Sequence, residues 1–170
     1  MSRFKNPPSQ MTHAEFMSTF SDIYEHSPWV AQSVWEEEIS KEHDEIEALA
    51  SVMAGVVETA GEARKAALIK AHPDLAGKAA VQDNLTEAST SEQAGAGLDD
   101  CTPEEFEQFQ SYNKRYKAKF GFPFIKAVKN SNRLEIIAGF EERLGNSAAE
   151  EFKTALAEID KIARFRLMEL

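Results

Sequence analysis

The chain has 170 residues, 42% of them apolar, enough for one compact domain that buries roughly 70% of the surface its unfolded form exposes. With 29 acidic against 19 basic residues, a formal net charge of −10 and no Lys/Arg block, it lacks the footprint of a nucleic-acid binder and is disfavoured at anionic membranes. The lone Cys101 excludes an internal disulfide, and with no run of 18 apolar residues and no apolar stretch in "MSRFKNPPSQ" the expectation is a soluble, unexported, cytoplasmic protein.

Helix signals dominate from the N-terminus onward. Pro7 and Pro8 mark residues 1–10 as a loosely held arm, leaving 11–170 as a single domain. Thr12 with Glu15 reads as a capping box before Phe16, Phe20 and Ile23, and Ser27-Pro28 as the cap and first turn of a helix carrying Trp29 and Val34. Ile46, Leu49, Met53 and Val57 repeat at i+3/i+4 in a third helix from near Asp44. A fourth starts near Gly61 and stops near Ala71, because Pro73 disfavours the helical conformation at His72 and cannot continue the ladder.

Pro73 to Ala88 has weak periodicity and reads as the longest loop. Ser89 with Glu92 reads as a capping box opening a short, glycine-limited helix. Thr102-Pro103-Glu104-Glu105 opens a longer one, with Phe106, Phe109, Tyr112 or Asn113, and Tyr116 on one face until Gly121. Two more follow the "FGFPFI" turn, one from about Asn132 to Leu144 and one from Ser147/Glu150 to the C-terminus. No strand or repeat is evident, so the expected fold is an all-α, single-domain bundle of about eight helices.

Three segments carry candidate chemistry: "AHPDLAG" (Ala71 to Gly77), "STSEQAGAGL" (Ser89 to Leu98) and "FGFPFIKAV" (Phe120 to Val128). His72 at a helix exit can simply complement the helix dipole; fixed by Pro73 and oriented by Asp74, it is also placed as a proton donor near neutral pH. Glu92 is explained by the capping box alone, yet the amides of that helix start would also bind an anionic or carbonyl-rich ligand, with Glu92 and Gln93 lining the same pocket. Phe120, Phe122 and Phe124 read as core plugs, whereas the backbone polar groups after Pro123 are harder to satisfy internally and suit a planar polar ligand.

An acidic chain that binds an anionic substrate needs a local cation. In the last helix Phe152, Leu156, Ile159 and Ala163 form an apolar stripe, and at 100° per residue Arg166 lies within about 40° of Phe152 while Arg164 faces away. Arg166 is then either the partner of a buried carboxylate or a bidentate clamp on the substrate. His13, His26 and His43 show no metal-ligand spacing, Cys101 has no reactive signature, and no phosphate loop or GxSxG is present.

In these residues the chain resembles the 2-oxo-4-hydroxy-4-carboxy-5-ureidoimidazoline (OHCU) decarboxylase family. The likeness runs through "YEHSPWVAQ" (Tyr24 to Gln32), "HPDLAGK", "SEQAGAGL", "YKAKFGFPFI" (Tyr116 to Ile125) and "EIDKIARFRL" (Glu158 to Leu167). The resemblance implies an all-α homodimer, without cofactor or metal, that converts the unstable ureidoimidazoline product of a preceding hydrolase to (S)-allantoin, the last of three steps from urate. It places the catalytic histidine and glutamate on His72 and Glu92, with substrate contacts on Pro73, Ser89, Gln93, the backbone of Phe124, Ile125, Lys126, Ala127 and Val128, and Arg166. It gives His72 the proton transfer, Glu92 the substrate hydroxyl, and Arg166 with Gln93 the ureido and carboxylate groups.

No fused hydrolase domain accompanies the chain and "MEL" is not a peroxisomal address, so a stand-alone cytoplasmic enzyme is expected. A rival reading takes "RKAALIKAHPD" (Arg64 to Asp74) as the basic helix and HPD loop of an Hsp70-binding J-domain. The continuation "LAGKAA" and the motifs outside that module count against it.

Overall fold

The computed structural model describes residues 2–76 and 86–170. Gly77 and Lys78 of the "HPDLAGK" motif, and most of the predicted long loop, lie outside the described residues. Among those described, eight α-helices account for the fold: α1 His13–Phe20, α2 Trp29–Glu36, α3 Ile46–Thr59, α4 Glu62–Ala71, α5 Glu87–Gly95, α6 Pro103–Phe120, α7 Arg133–Arg143 and α8 Ala148–Met168. Two 3₁₀ turns, Pro8–Gln10 and Lys41–Asp44, and one isolated bridge between Arg3 and Glu45 complete it. The all-α expectation is met.

The chain divides into two compact units, one ending at Ala71 and resuming at Asp160, the other His72–Ile159. In the first, Thr12 and Glu15 form the predicted capping box, with the Glu15 N–H donating to Thr12 Oγ1 at 3.2 Å and the Thr12 N–H to Glu15 Oε2 at 2.8 Å. Phe16 and Phe20 are buried, and Phe16 packs on Trp35 with ring centroids 5.3 Å apart. Ser27 does not cap α2. Its hydroxyl donates to the Glu25 carbonyl at 2.9 Å across a turn in which His26 sits at φ 47°, and Pro28 takes the N-cap position without a side-chain bond.

Residues 2–10, read from Pro7 and Pro8 as a loosely held arm, make hydrogen bonds to the segment around Asp44. Asp44 accepts from the Ser9 N–H at 2.9 Å and from its hydroxyl at 2.8 Å, the Phe4 N–H donates to the Asp44 carbonyl, and the Ile46 N–H donates to Ser2. Phe4 is 7% exposed, edge-on to Phe20. Proline restricts φ without preventing burial of a neighbouring aromatic, and burial decides here.

Tyr24 donates to Asp160 at 2.8 Å in the same unit. Burial pushes the Asp160 carboxyl up, the Tyr24 hydrogen bond opposes this, and Glu58 adds to the rise.

In the second unit, Thr102 and Glu105 form the predicted capping box at α6, whose buried line is Phe109, Asn113, Tyr116 and Phe120. The helix ends at Gly121, φ 80°, a left-handed position that suits glycine. Asn132 caps α7, and Ser147 with Glu150 caps α8 reciprocally. The predicted start of α5 moves by three residues: Thr86, not Ser89, is the cap, accepting the Ser89 N–H at 3.2 Å. Glu92 therefore lies in mid-helix, and the capping explanation for it falls away.

Two predictions follow from the first unit. Phe4→Ala should lower the unfolding free energy by about 3 kcal/mol in denaturant titration, as loss of a buried ring does; a loss within ~0.5 kcal/mol would mean that the N-terminal segment is held weakly. Asp160, with its folded pKa raised, holds its proton to higher pH in the folded than in the unfolded chain. Its ionisation thus costs stability above the carboxylate range and nothing below it. Asp160→Asn should be the more stable protein at pH 7, with the gain vanishing as pH falls through that range.

Candidate active site

His72 follows directly on the last residue of α4, where Pro73 stops the helix, and is buried. After Pro73, the three residues Asp74, Leu75 and Ala76 are held by side chains of two helices in the same unit. Gln93 of α5 accepts the Ala76 N–H at 3.0 Å on Oε1 and donates from Nε2 to the Asp74 carbonyl at 3.4 Å. From α6, Gln110 donates to the Ala76 carbonyl at 2.9 Å, Asn113 to the Leu75 carbonyl at 2.9 Å, and Lys117 pairs with the Asp74 carboxylate at 2.7 Å. Asp74, expected to orient the imidazole, thus places Oδ2 on Lys117.

Gln93 is buried, with both ends of its amide engaged by the His72–Ala76 segment. A primary amide has two N–H groups and two acceptor lone pairs, and the bonds to the Ala76 N–H and the Asp74 carbonyl use one of each. Ser89 is buried one turn before it and Glu92 is half-buried beside it, so α5 carries the candidate glutamate and a side chain bonded to the histidine loop.

The Phe122–Val128 segment sits on an aromatic core: Phe124 stacks on Phe140 with centroids 3.8 Å apart and is edge-on to Tyr116. Beneath it Arg143 lies 4.3 Å over the Phe124 ring, donates to the Ile125 carbonyl and pairs with buried Glu151 at 2.7 Å. Glu151 also accepts from Tyr116 and Asn146, and burial together with that acceptor holds the Tyr116 phenol protonated, its pKa pushed up. The Ile125 carbonyl is satisfied internally, whereas the backbone N–H groups of Phe124, Ile125, Lys126, Ala127 and Val128 have no hydrogen-bond partner among the described residues.

Arg166 belongs to the first unit and is buried, while Arg164 is exposed on Glu47. Of the two roles left open for Arg166, the structure supplies the carboxylate partner. Its Nη2 pairs with Glu25, 1% exposed, at 2.8 Å, and its Nη1 faces the carbonyls of Asp22 and Ile23 at 3.4 and 3.3 Å. The buried seam of α8 runs Glu151, Ala155, Ile159, Ala163 and Leu167, one register from the predicted stripe, because Glu151 is drawn inward by Arg143 and Tyr116. Among the described residues no group of three or more His, Cys, Asp or Glu is arranged to hold a metal. Desolvation, with Glu105 next, pushes the Cys101 thiol up and away from a reactive thiolate.

Residues 9–168 match the model of the OHCU decarboxylase family. The chain belongs to the OHCU decarboxylase family. An OHCU decarboxylase from Haloferax volcanii is 41% identical over 154 residues, 91% of this chain and 88% of the relative, and one from Halalkalicoccus jeotgali is 40% identical over 162 residues, covering 95% and 88%. A crystal structure of (S)-allantoin synthase superposes with a TM-score of 0.73 at 30% identity, over 95% of this chain and 51% of that one. A crystal structure of an OHCU decarboxylase, 20% identical, shares the fold with a TM-score of 0.69 over 88% of this chain and 94% of that one.

Within this OHCU decarboxylase family member, reading the sequence missed Gln110, Asn113 and Lys117 as holders of the His72 loop, and Glu25 and Glu151 as arginine partners. One signal for Asn113 was available: a polar residue four positions after Phe109 and three before Tyr116, on the apolar face. For Arg166 the structure leads to a stability prediction. Arg166→Met takes the guanidinium from the buried Glu25 carboxylate and should cost about 3–5 kcal/mol in denaturant titration, whereas Arg164→Met should cost under about 1 kcal/mol.

Proposed function

We propose that this chain decarboxylates OHCU to (S)-allantoin without a cofactor, with His72 moving the proton. The observation that carries the reading is the tie between the two candidate catalytic elements: the side chain next to Glu92 is bonded at both ends to the loop that begins at His72. Family membership and the likeness to an (S)-allantoin synthase support the same reaction.

The substrate needs little chemical help. Its ring imine adjoins the carbon bearing carboxylate and hydroxyl, so when the bond to the carboxylate breaks and CO₂ leaves, the electron pair forms a C4–C5 double bond and the imine nitrogen takes the charge and a proton. Loss of the hydroxyl proton then gives the C4 carbonyl as C5 is protonated, and the face of that protonation sets the configuration. The protein has to hold the carboxylate out of the ring plane and deliver one proton to one face. His72 supplies that proton, and Glu92 takes the hydroxyl.

Pro73 stiffens the backbone beside the imidazole. Ser89 and the second N–H of the Gln93 amide orient the ureido group, and the N–H groups from Phe124 to Val128, without partners among the described residues, receive its carbonyl or the carboxylate. The resemblance adds a cytoplasmic homodimer, which sedimentation of the purified protein tests. No described helix is long and apolar enough to cross a membrane.

The test is circular dichroism of freshly generated OHCU with and without protein. Wild type should accelerate the appearance of one allantoin enantiomer, and His72→Asn should slow it about 10²–10⁴-fold and return racemic product while remaining folded. A folded His72→Asn protein giving one enantiomer at the normal rate would remove His72 from the mechanism.

A further inference from the structure

On α6, Gln110, Asn113 and Lys117 lie at i, i+3 and i+7, one face of the helix. Their donors meet successive residues of the His72 loop in reverse order, Gln110 on the Ala76 carbonyl, Asn113 on the Leu75 carbonyl and Lys117 on the Asp74 carboxylate, at 2.9, 2.9 and 2.7 Å. The loop therefore runs antiparallel along three rungs of one helix, and the next residues beyond the last rung are Pro73 and His72.

Two features make this more than incidental surface bonding. Ala76 sits at φ 52°, a left-handed conformation that a non-glycine residue keeps only where its surroundings over-determine it, and here its N–H and carbonyl are both taken, by Gln93 and Gln110. Asn113 is 2% exposed, and its second polar atom, Oδ1, has no hydrogen-bond partner among the described residues. An apolar residue of the same size would spare that acceptor but leave the buried Leu75 carbonyl without its donor, so the side chain is kept for the bond it makes to the loop. A hollow of about 220 Å³ lined by Asp74, Gln110, Asn113, Lys114 and Lys117 adjoins the ladder, so polar bonds rather than close apolar packing hold this side of the loop.

We propose that Asn113, flanked by Gln110 and Lys117, is the positioning residue for His72: its bond to the Leu75 carbonyl sets where the imidazole is presented, without touching the substrate. This rests on the reading of His72 as the proton carrier. The probe is Asn113→Leu, which keeps side-chain size and removes the donor, with Gln110→Met as a second break in the ladder. Measured on freshly generated OHCU, Asn113→Leu should lose about ten- to a hundredfold in kcat with KM within about threefold, and its allantoin should lose enantiomeric purity. The imidazole resonances of His72, assigned among the four histidines by comparison with His72→Asn, should shift in a protein that stays folded and loses only a few degrees of melting temperature to the stranded Leu75 carbonyl.

Folded Asn113→Leu and Gln110→Met proteins with wild-type kcat, enantiomeric purity and His72 resonances would overturn the proposal; if Asn113→Leu does not fold, Gln110→Met decides alone. His72→Asn runs alongside. If its turnover is normal, the assignment of His72 fails, and the His72 resonances in the α6 variants still report whether the ladder positions that ring.

Discussion

A buried backbone polar group has to find a partner, and in this chain that constraint falls hardest on the few residues after α4. Once Pro73 has ended the helix, Asp74, Leu75 and Ala76 have neither helical ladder nor strand to satisfy them, and Leu75 and Ala76 are buried. The solution is side-chain amides reaching in from α5 and α6. The conformation of the loop therefore depends on the register of two helices distant from it in sequence, and His72 inherits its place from them.

The second irregular segment of the same unit is treated alike. Phe122 to Val128 is anchored by its aromatic rings, and Arg143 satisfies its Ile125 carbonyl from below. A buried guanidinium needs a buried anion, which brings Glu151 inward, and Glu151 in turn uses Tyr116 and Asn146 as further donors. Arg166 repeats the pattern in the first unit with Glu25. Among the described residues the two buried arginines, Arg143 and Arg166, each pair with a buried carboxylate.

Gln93 has a task in the structure that its place in the sequence did not show. The resemblance makes it a substrate contact, and in the structure its amide first serves the loop. The two tasks are compatible, since a primary amide has more hydrogen-bonding capacity than the loop consumes.

Helix existence, type and most boundaries were legible because their causes are local. Thr12/Glu15, Thr102/Glu105, Ser147/Glu150, Pro73 and Gly121 act on backbone groups within four residues, and all were read in place. Where Tyr112 and Asn113 competed for one face the sequence alone did not choose, and the cap of α5, read as Ser89, proved to be Thr86. Which donor meets which carbonyl, and which glutamate enters the interior, follow from how helices far apart in the chain pack. Hydrogen-bond partners are selected by distance in space, so the sequence by itself determined that His72 ends a helix in an all-α chain, and only the tertiary structure decided what holds it there.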